Sequence, residues 1–266
     1  MSTAIPILMY HAVAERPADA TLRLSVRPNM LAAQLALLRQ QGFTTVTFSR
    51  LAAALRGDCA LSERPIVLTF DDGYADFHRD ALPVLARYDC MATLFVTTGW
   101  VADAGQHAAG TPLDRMLSWS QIDEVSAAGF EVAAHSHSHA QLDQLPDAEL
   151  KRELSMSKAL LEDRLGWEVS SLAYPYGYSS TRVRAAACAA GYRHAAAVSN
   201  ATARPQADLF TLPRLTIRRS TSLDTFDRII NGRSIPRIFL ADRALTAGWT
   251  VVRRTRYAIS RGRGLG

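Results

Sequence analysis

Ile66-Val67-Leu68-Thr69-Phe70-Asp71-Asp72-Gly73 is an unbroken apolar run closing on two adjacent carboxylates and a glycine. The run predicts a buried strand, and the carboxylates sit at its end. Like charges this close resist joint ionisation and are costly to desolvate, so a compensating partner is required. A divalent cation meets that requirement, with one carboxylate as ligand and its neighbour free as a general base. Downstream, His135-Ser136-His137-Ser138-His139 follows the apolar run Phe130 to Ala134. One Asp and two His leave open positions on a metal such as zinc, the arrangement of a hydrolytic site. The His-x-x-x-His spacing predicts two imidazoles on one face of a helical turn. The competing readings are turn chemistry for Asp-Asp-Gly and a solvated loop for the histidines.

Outward from this strand, helix and strand patterns alternate. Strands are predicted over Ile5 to Met9, Thr44 to Phe48, Ala92 to Thr97, Phe130 to Ala134, Ser171 to Tyr174, His194 to Val198 and Thr211 to Ile217. Helices are predicted over Met30 to Gln41 with Asn29 as cap, Leu51 to Arg56, Asp76 to Arg87 with a break near Pro83, and Thr181 to Ala190. Two more run from Ser120 to Gly129 and from Pro146 to Leu165, with Gly166 as the stop. Seven or so strands separated by helices suggest parallel βα units, and a barrel would gather the strand C-terminal ends on one face. Asp71-Asp72, the histidines and Tyr174-Pro175-Tyr176-Gly177 all follow strands, so such a barrel brings them into one cavity. An open doubly wound sheet is the structural competitor.

The chain has 266 residues, 48% of them hydrophobic, enough for one domain of barrel size. Cys59, Cys90 and Cys188 are few and widely spaced, which is no disulfide framework and suits a reducing compartment. Met1 to Ala14 contains no Lys or Arg and only a short apolar stretch, unlike a secretory leader, and no run reaches membrane-span length. A cytoplasmic location is therefore expected. Charge is uneven: Arg214 to Gly266 holds 12 Arg against 3 Asp, or +9 of a total of +5, leaving −4 for the rest. A barrel over 1–235 with a basic tail over 236–266 is the expected division. The tail offers contact with an anionic membrane surface, although Arg is also this chain's habitual surface cation. No motif supports nucleic-acid binding.

Thr69-Phe70-Asp71-Asp72-Gly73, His135-Ser136-x-x-His139 and Tyr174-Pro175-Tyr176-Gly177 resemble, in order and separation, three motifs of the polysaccharide deacetylase (NodB-homology) family, carbohydrate esterase family four. Leu8-Met9-Tyr10-His11, Leu117-Ser118-Trp119 and Leu212-Pro213-Arg214 resemble segments of its bacterial exopolysaccharide branch. The resemblance implies a distorted (β/α)7 barrel that removes acetyl groups from N-acetylated sugars of a polymer or its precursor. By matching positions, Asp72, His135 and His139 would hold the metal, Zn2+ first, with Co2+ or Ni2+ also suited to N and O ligands. Asp71 would be the base, and the backbone N–H of Tyr176 would stabilise the oxyanion. Tyr74, Trp119 and Pro175 would face the substrate, and His137 is expected behind the ligands or facing the sugar.

Two positions depart from the family pattern. Ala173 stands where many members carry an Arg that pairs with the base, and Arg214 stands where many carry the His that protonates the leaving amine. These substitutions motivate two expectations: Arg214 supplies the cation missing at Ala173, and His11, ending the first strand, serves as the acid. The alternatives are a catalytically weak or inactive carbohydrate-binding barrel and a hydrolase of a non-sugar amide.

Overall fold

In the computed structural model, which describes residues 4–244, strands β1 (Ile7–Tyr10), β2 (Thr44–Val46), β3 (Pro65–Phe70), β4 (Thr93–Val96), β5 (Glu131–Ala134), β6 (Ser171–Ala173), β7 (His194–Val198) and β8 (Leu212–Thr216) form one parallel sheet. Seven of them close a ring, because β1 pairs with both β3 and β8. The eighth, β2, lies outside that ring. It pairs with the first half of β3 (Thr45↔Ile66), while β4 takes the second half (Thr69↔Thr93). Two partners sharing one edge of β3 distort the barrel; Met91 N–H bonding Thr45 Oγ1 and Phe48 N–H bonding Thr93 Oγ1 bridge the split.

The helices α1 (Pro28–Gln40), α2 (Phe48–Arg56), α3 (Leu82–Arg87), α4 (Trp119–Ala127), α5 (Asp147–Leu165), α6 (Thr181–Ala189), α7 (Leu223–Ile230) and α8 (Ile235–Ile238) complete the chain order. Side chains alternate along each strand, and the two sets are segregated. Leu8, Leu68, Leu94, Val132, Leu172 and Leu215 point outward into the layer beneath the helices. Ile7, Val67, Phe95, Ala133, Ala173 and Ala196 fill the lumen. Each fully buried Leu or Val contributes about 1.5–3 kcal/mol, so register is fixed: a one-residue slip would exchange the two sets. Three alanines on consecutive strands leave lumen space that larger side chains would occupy, and Arg214 uses it.

Helix starts differ from the sequence reading. The first helix begins at Pro28 with Arg27 as its cap residue, not Asn29; proline's fixed φ suits the first helical position. The helix expected from Ser120 begins at Trp119, where Ser118 and Gln121 form a reciprocal capping box. The break expected near Pro83 is a π-helical turn, Phe77–Ala81, running into α3. The division expected between residues 235 and 236 falls inside α8, and Ile235 and Phe239 are buried in the core. Residues 245–266 of the basic segment lie outside the described residues. Among the described residues no helix is long and apolar enough to cross a membrane.

Candidate active site

The C-terminal ends of the strands carry the motif residues to one face, as parallel βα connectivity requires. Asp71 and Asp72 leave β3 in a tight turn: Asp71 N–H bonds the Tyr10 carbonyl, and Gly73 N–H returns to the Asp71 carbonyl. Asp72 sits at φ 76°, in the left-handed region. This aims the two consecutive carboxylates at different partners.

Asp71 faces the lumen and meets Arg214. Nη1 and Nη2 of Arg214 donate to the two carboxylate oxygens at 2.5 and 2.7 Å, and Nη1 also reaches Thr69 Oγ1 at 3.1 Å. The guanidinium lies over the Phe95 ring, 5.5 Å from its centroid. Arg214 is within β8 rather than after it, level with Val198 of β7, and is fully buried. Burial works to raise the Asp71 carboxyl, but the charge and hydrogen bonds of Arg214, with His135 beside it, hold it below the ordinary carboxylate range.

Asp72 faces the histidines. Its Oδ1 lies 3.4 Å from Nε2 of His135 and 3.3 Å from Nε2 of His139. The ring nitrogens and the carboxylate oxygen available as ligands lie within 4.8 Å of one another. His135 Nδ1 is 2.8 Å from the Ala173 carbonyl; a carbonyl only accepts, so Nδ1 carries a hydrogen, and in the neutral ring Nε2 is then the nitrogen with a lone pair to offer a metal. Asp72 Oδ1 is buried and receives no hydrogen bond from the described residues. Burial raises the Asp72 carboxyl, but the surrounding His135, His11 and His139 outweigh it and keep it ionised. Burial also lowers His139, to about 4, so its imidazole is neutral at pH 7. An orphaned carboxylate oxygen beside two imidazole nitrogens fits a divalent cation.

The turn after β5 is not the helical turn expected from the His-x-x-x-His spacing. Residues 135–139 are irregular, with Ser136 at φ 63° and His139 at φ 61°. Such backbone is costly for residues other than glycine and persists only where its surroundings impose it. Here Glu153 on α5 accepts from His137 N (3.1 Å), Ser138 N (2.8 Å) and Ser138 Oγ (2.6 Å), while Ser136 Oγ accepts from His139 N. His137 turns away from the cavity, bonding Thr98 Oγ1 through Nδ1. Gly110 closes the other side, since a Cβ there would meet the Ser138 carbonyl at 2.4 Å.

A cavity of about 380 Å³ opens over this cluster, lined by His11, Asp71, Asp72, His135, His139 and Arg214, with Tyr176, Tyr178 and Leu113 toward solvent. Tyr176 has φ 60°, is half exposed, and packs its ring 4.7 Å from His139 and 5.5 Å from Tyr178. His11 Nδ1 is buried without a hydrogen-bond partner among the described residues.

Three residues expected to face the substrate do not line this cavity. Tyr74 is buried with Ala12, Trp100 and Met116. Trp119 is the first residue of α4 and packs against the barrel–helix core. Pro175 is buried under the turn that presents Tyr176. Trp100, buried beside Tyr74, packs its ring 4.8 Å from His139.

A family model described as polysaccharide deacetylase matches residues 59–195, or 137 of the 266 residues. The chain is 26% identical over 226 residues to the Bacillus subtilis protein YxkH, covering 85% of this chain and 76% of the other. It is 33% identical over 135 residues to the Escherichia coli poly-β-1,6-N-acetyl-D-glucosamine N-deacetylase, covering 48% of this chain and 20% of that protein. The structure of the Streptococcus pyogenes deacetylase PplD in complex with acetate superposes with a TM-score of 0.77 at 26% identity, covering 86% of this chain and 99% of that one.

Proposed function

The chain belongs to the polysaccharide deacetylase family, and from that premise we propose that it hydrolyses the acetamido group of N-acetylhexosamine units in a polysaccharide or its precursor. A divalent cation, Zn2+ first, would be held by Asp72, His135 and His139, and would supply a Lewis acid that polarises the acetamide carbonyl and acidifies water.

The chain's own residues account for the remaining steps. Asp71 stays ionised because Arg214 occupies both its oxygens, and it takes the proton of the water that attacks the carbonyl carbon. The N–H of Tyr176 donates to the oxyanion of the tetrahedral intermediate. His11 delivers a proton to the amide nitrogen; the C–N bond then breaks, releasing acetate and the free amine. Tyr176 and Tyr178 flank the entrance, where aromatic faces suit the apolar side of a sugar ring.

The observation that carries this reading is Asp72 Oδ1, buried without a donor between the Nε2 atoms of His135 and His139. The experiment is metal content of the purified protein together with acetate release from N-acetylglucosamine oligomers, for wild type and Asp72→Ala. Bound metal and acetate release, both lost in the variant, are expected. A protein that takes up no metal after supplementation would overturn the proposal and favour a binding module.

A further inference from the structure

The catalytic cavity does not end at its aromatic mouth. A second cavity of about 720 Å³ adjoins it, and the two share Leu24, Arg218 and Asp242 as lining residues. Among the described residues the second cavity is lined further by Arg23, Arg219 and Ser220, so three arginines and one carboxylate face it. Arg218 Nη2 is bonded to that carboxylate, Asp242 Oδ1, at 2.7 Å.

The other two arginines have no such compensation. Arg219 is held in place by neutral acceptors: Nη1 bonds the Ala14 carbonyl and Ser25 Oγ, and Nη2 bonds the Glu15 carbonyl. These contacts fix its guanidinium without cancelling its charge. Arg23 is exposed, and neither it nor Arg219 forms an ion pair with a carboxylate among the described residues. Nearby Glu15 is already bonded to Arg27. A preorganised guanidinium beside a second, unpaired one is a site for a phosphate or carboxylate, which two arginines can grip by several charge-assisted hydrogen bonds.

We propose that the groove over Arg23, Arg218 and Arg219 is a subsite for an anionic group on the glycan substrate, adjacent to the sugar that is deacetylated. This rests on the deacetylase reading above and adds that the natural substrate is negatively charged, bearing either a phosphate or a uronic-type carboxylate. Leu22 and Leu24 flank the arginines, so the groove pairs charge selection with apolar contact to the sugar rings.

The test compares three probes on the Zn2+-supplemented full chain: a neutral N-acetylglucosamine hexamer, a hexamer alternating N-acetylglucosamine with glucuronate, and an N-acetylglucosamine tetramer carrying a reducing-end phosphate. An advantage in kcat/KM of about tenfold for one anionic probe is expected, and the preferred probe identifies the source of the charge. The advantage should disappear in Arg23→Glu and at about 0.5 M salt, where exposed charges are screened. Arg193→Gln, beside the opposite ends of the strands, should retain it. Because Arg219 braces the segment at Ala14 and Glu15, Arg23→Glu and Arg23→Gln are the informative variants.

Calorimetric binding of N-acetylglucosamine 1-phosphate against N-acetylglucosamine keeps the two proposals separable. Tighter phosphate binding that Arg23→Glu abolishes, without acetate release from any probe, would remove the deacetylase reading and leave the subsite. Deacetylation of the neutral hexamer as efficient as of both anionic probes, with equal binding of the two monosaccharides, would overturn the subsite and leave the deacetylase.

Discussion

Arg214 and Asp71 form a two-point ion pair at 2.5 and 2.7 Å with both side chains out of solvent, from strands that are not neighbours in the barrel. β1 lies between the two strands, so the pair reaches past β1 on the lumen side, where Ala133, Ala173 and Ala196 are small. A buried pair of this kind is weak evidence for stability, since desolvation offsets much of the attraction. Its consequence is chemical: Asp71 is kept ionised and fixed in orientation.

Removing the guanidinium should therefore act on the pH dependence of the reaction. In Arg214→Ala, burial would act on Asp71 with its main counter-charge gone, so its pKa rises. The base would then be protonated over a wider range, and the acid limb of kcat/KM would move to higher pH. A loss of about 100-fold or more at pH 6 is expected, shrinking as pH rises. Arg214→Lys keeps the charge but not the two-point geometry and should fall between. An unmoved acid limb in Arg214→Ala would remove the assigned role.

Glu153 is the second residue whose importance the structure reveals. It gathers three hydrogen bonds from His137 and Ser138, the segment strained at Ser136 and His139. It bonds no candidate ligand side chain, so any effect on the candidate metal site would pass through the backbone. Glu153→Ala should weaken Zn2+ affinity by about 10–100-fold, the range for groups that orient ligands. Competition with a chromogenic chelator reads this directly. Glu153→Gln, which keeps one acceptor oxygen, should recover part of the loss; equal affinity in all three proteins would show that the turn holds itself.

What the sequence made legible and what it did not divides along physical lines. The strands, their parallel order and the clustering of Asp71, Asp72, His135 and His139 follow from short apolar runs and polar residues placed just after them. Those signals are local. The bidentate grip of Arg214 was readable only in outline, from a substitution at Ala173 and an unexpected Arg on a late strand. The positive φ at Ser136 and His139 was not readable, because neither residue type signals it, and the spacing pointed instead to a helical turn. Glu153 is 14 residues beyond His139 on a helix rich in charge, and nothing marks it out from Glu149 and Glu162 of the same helix. Tyr74 and Trp119 lie outside the cavity lining, because an aromatic beside a motif packs inward as readily as it faces a cavity.

Asp76 makes a prediction about stability. Its carboxyl is buried near Asp114 and Asp80, with one oxygen lacking a hydrogen-bond partner among the described residues, and burial first, then these charges, push it up to about 7. Its unfolded value is about 3.9. Between these values the folded state binds the proton and the unfolded state does not, so this group makes stability fall as pH rises. Above pH 7 the full cost is present; below pH 4 it vanishes. Asp76→Asn, which mimics the protonated form, should leave urea stability unchanged near pH 4 and raise it by roughly 2–4 kcal/mol at pH 8. A gain independent of pH would place the effect elsewhere.

His11 carries the last prediction. It directly follows β1 on the same face as the Asp72, His135 and His139 cluster, lines the cavity, and keeps Nδ1 free of any hydrogen bond among the described residues. Burial lowers its pKa, and the nearby Asp72 and Asp71 work against that shift. A general acid must be protonated when the leaving nitrogen needs the proton, so its departure should affect turnover more than binding. His11→Gln is expected to lower kcat by about 10²–10⁴-fold, with KM and Zn2+ content little changed. The effect should also depend on the leaving group. An activated acetate ester such as p-nitrophenyl acetate leaves without protonation, so the variant should hydrolyse it at close to the wild-type rate while failing on the acetamide. Equal losses on ester and amide would mean that His11 supports the site structurally, and full activity on both would mean that the proton comes from another group.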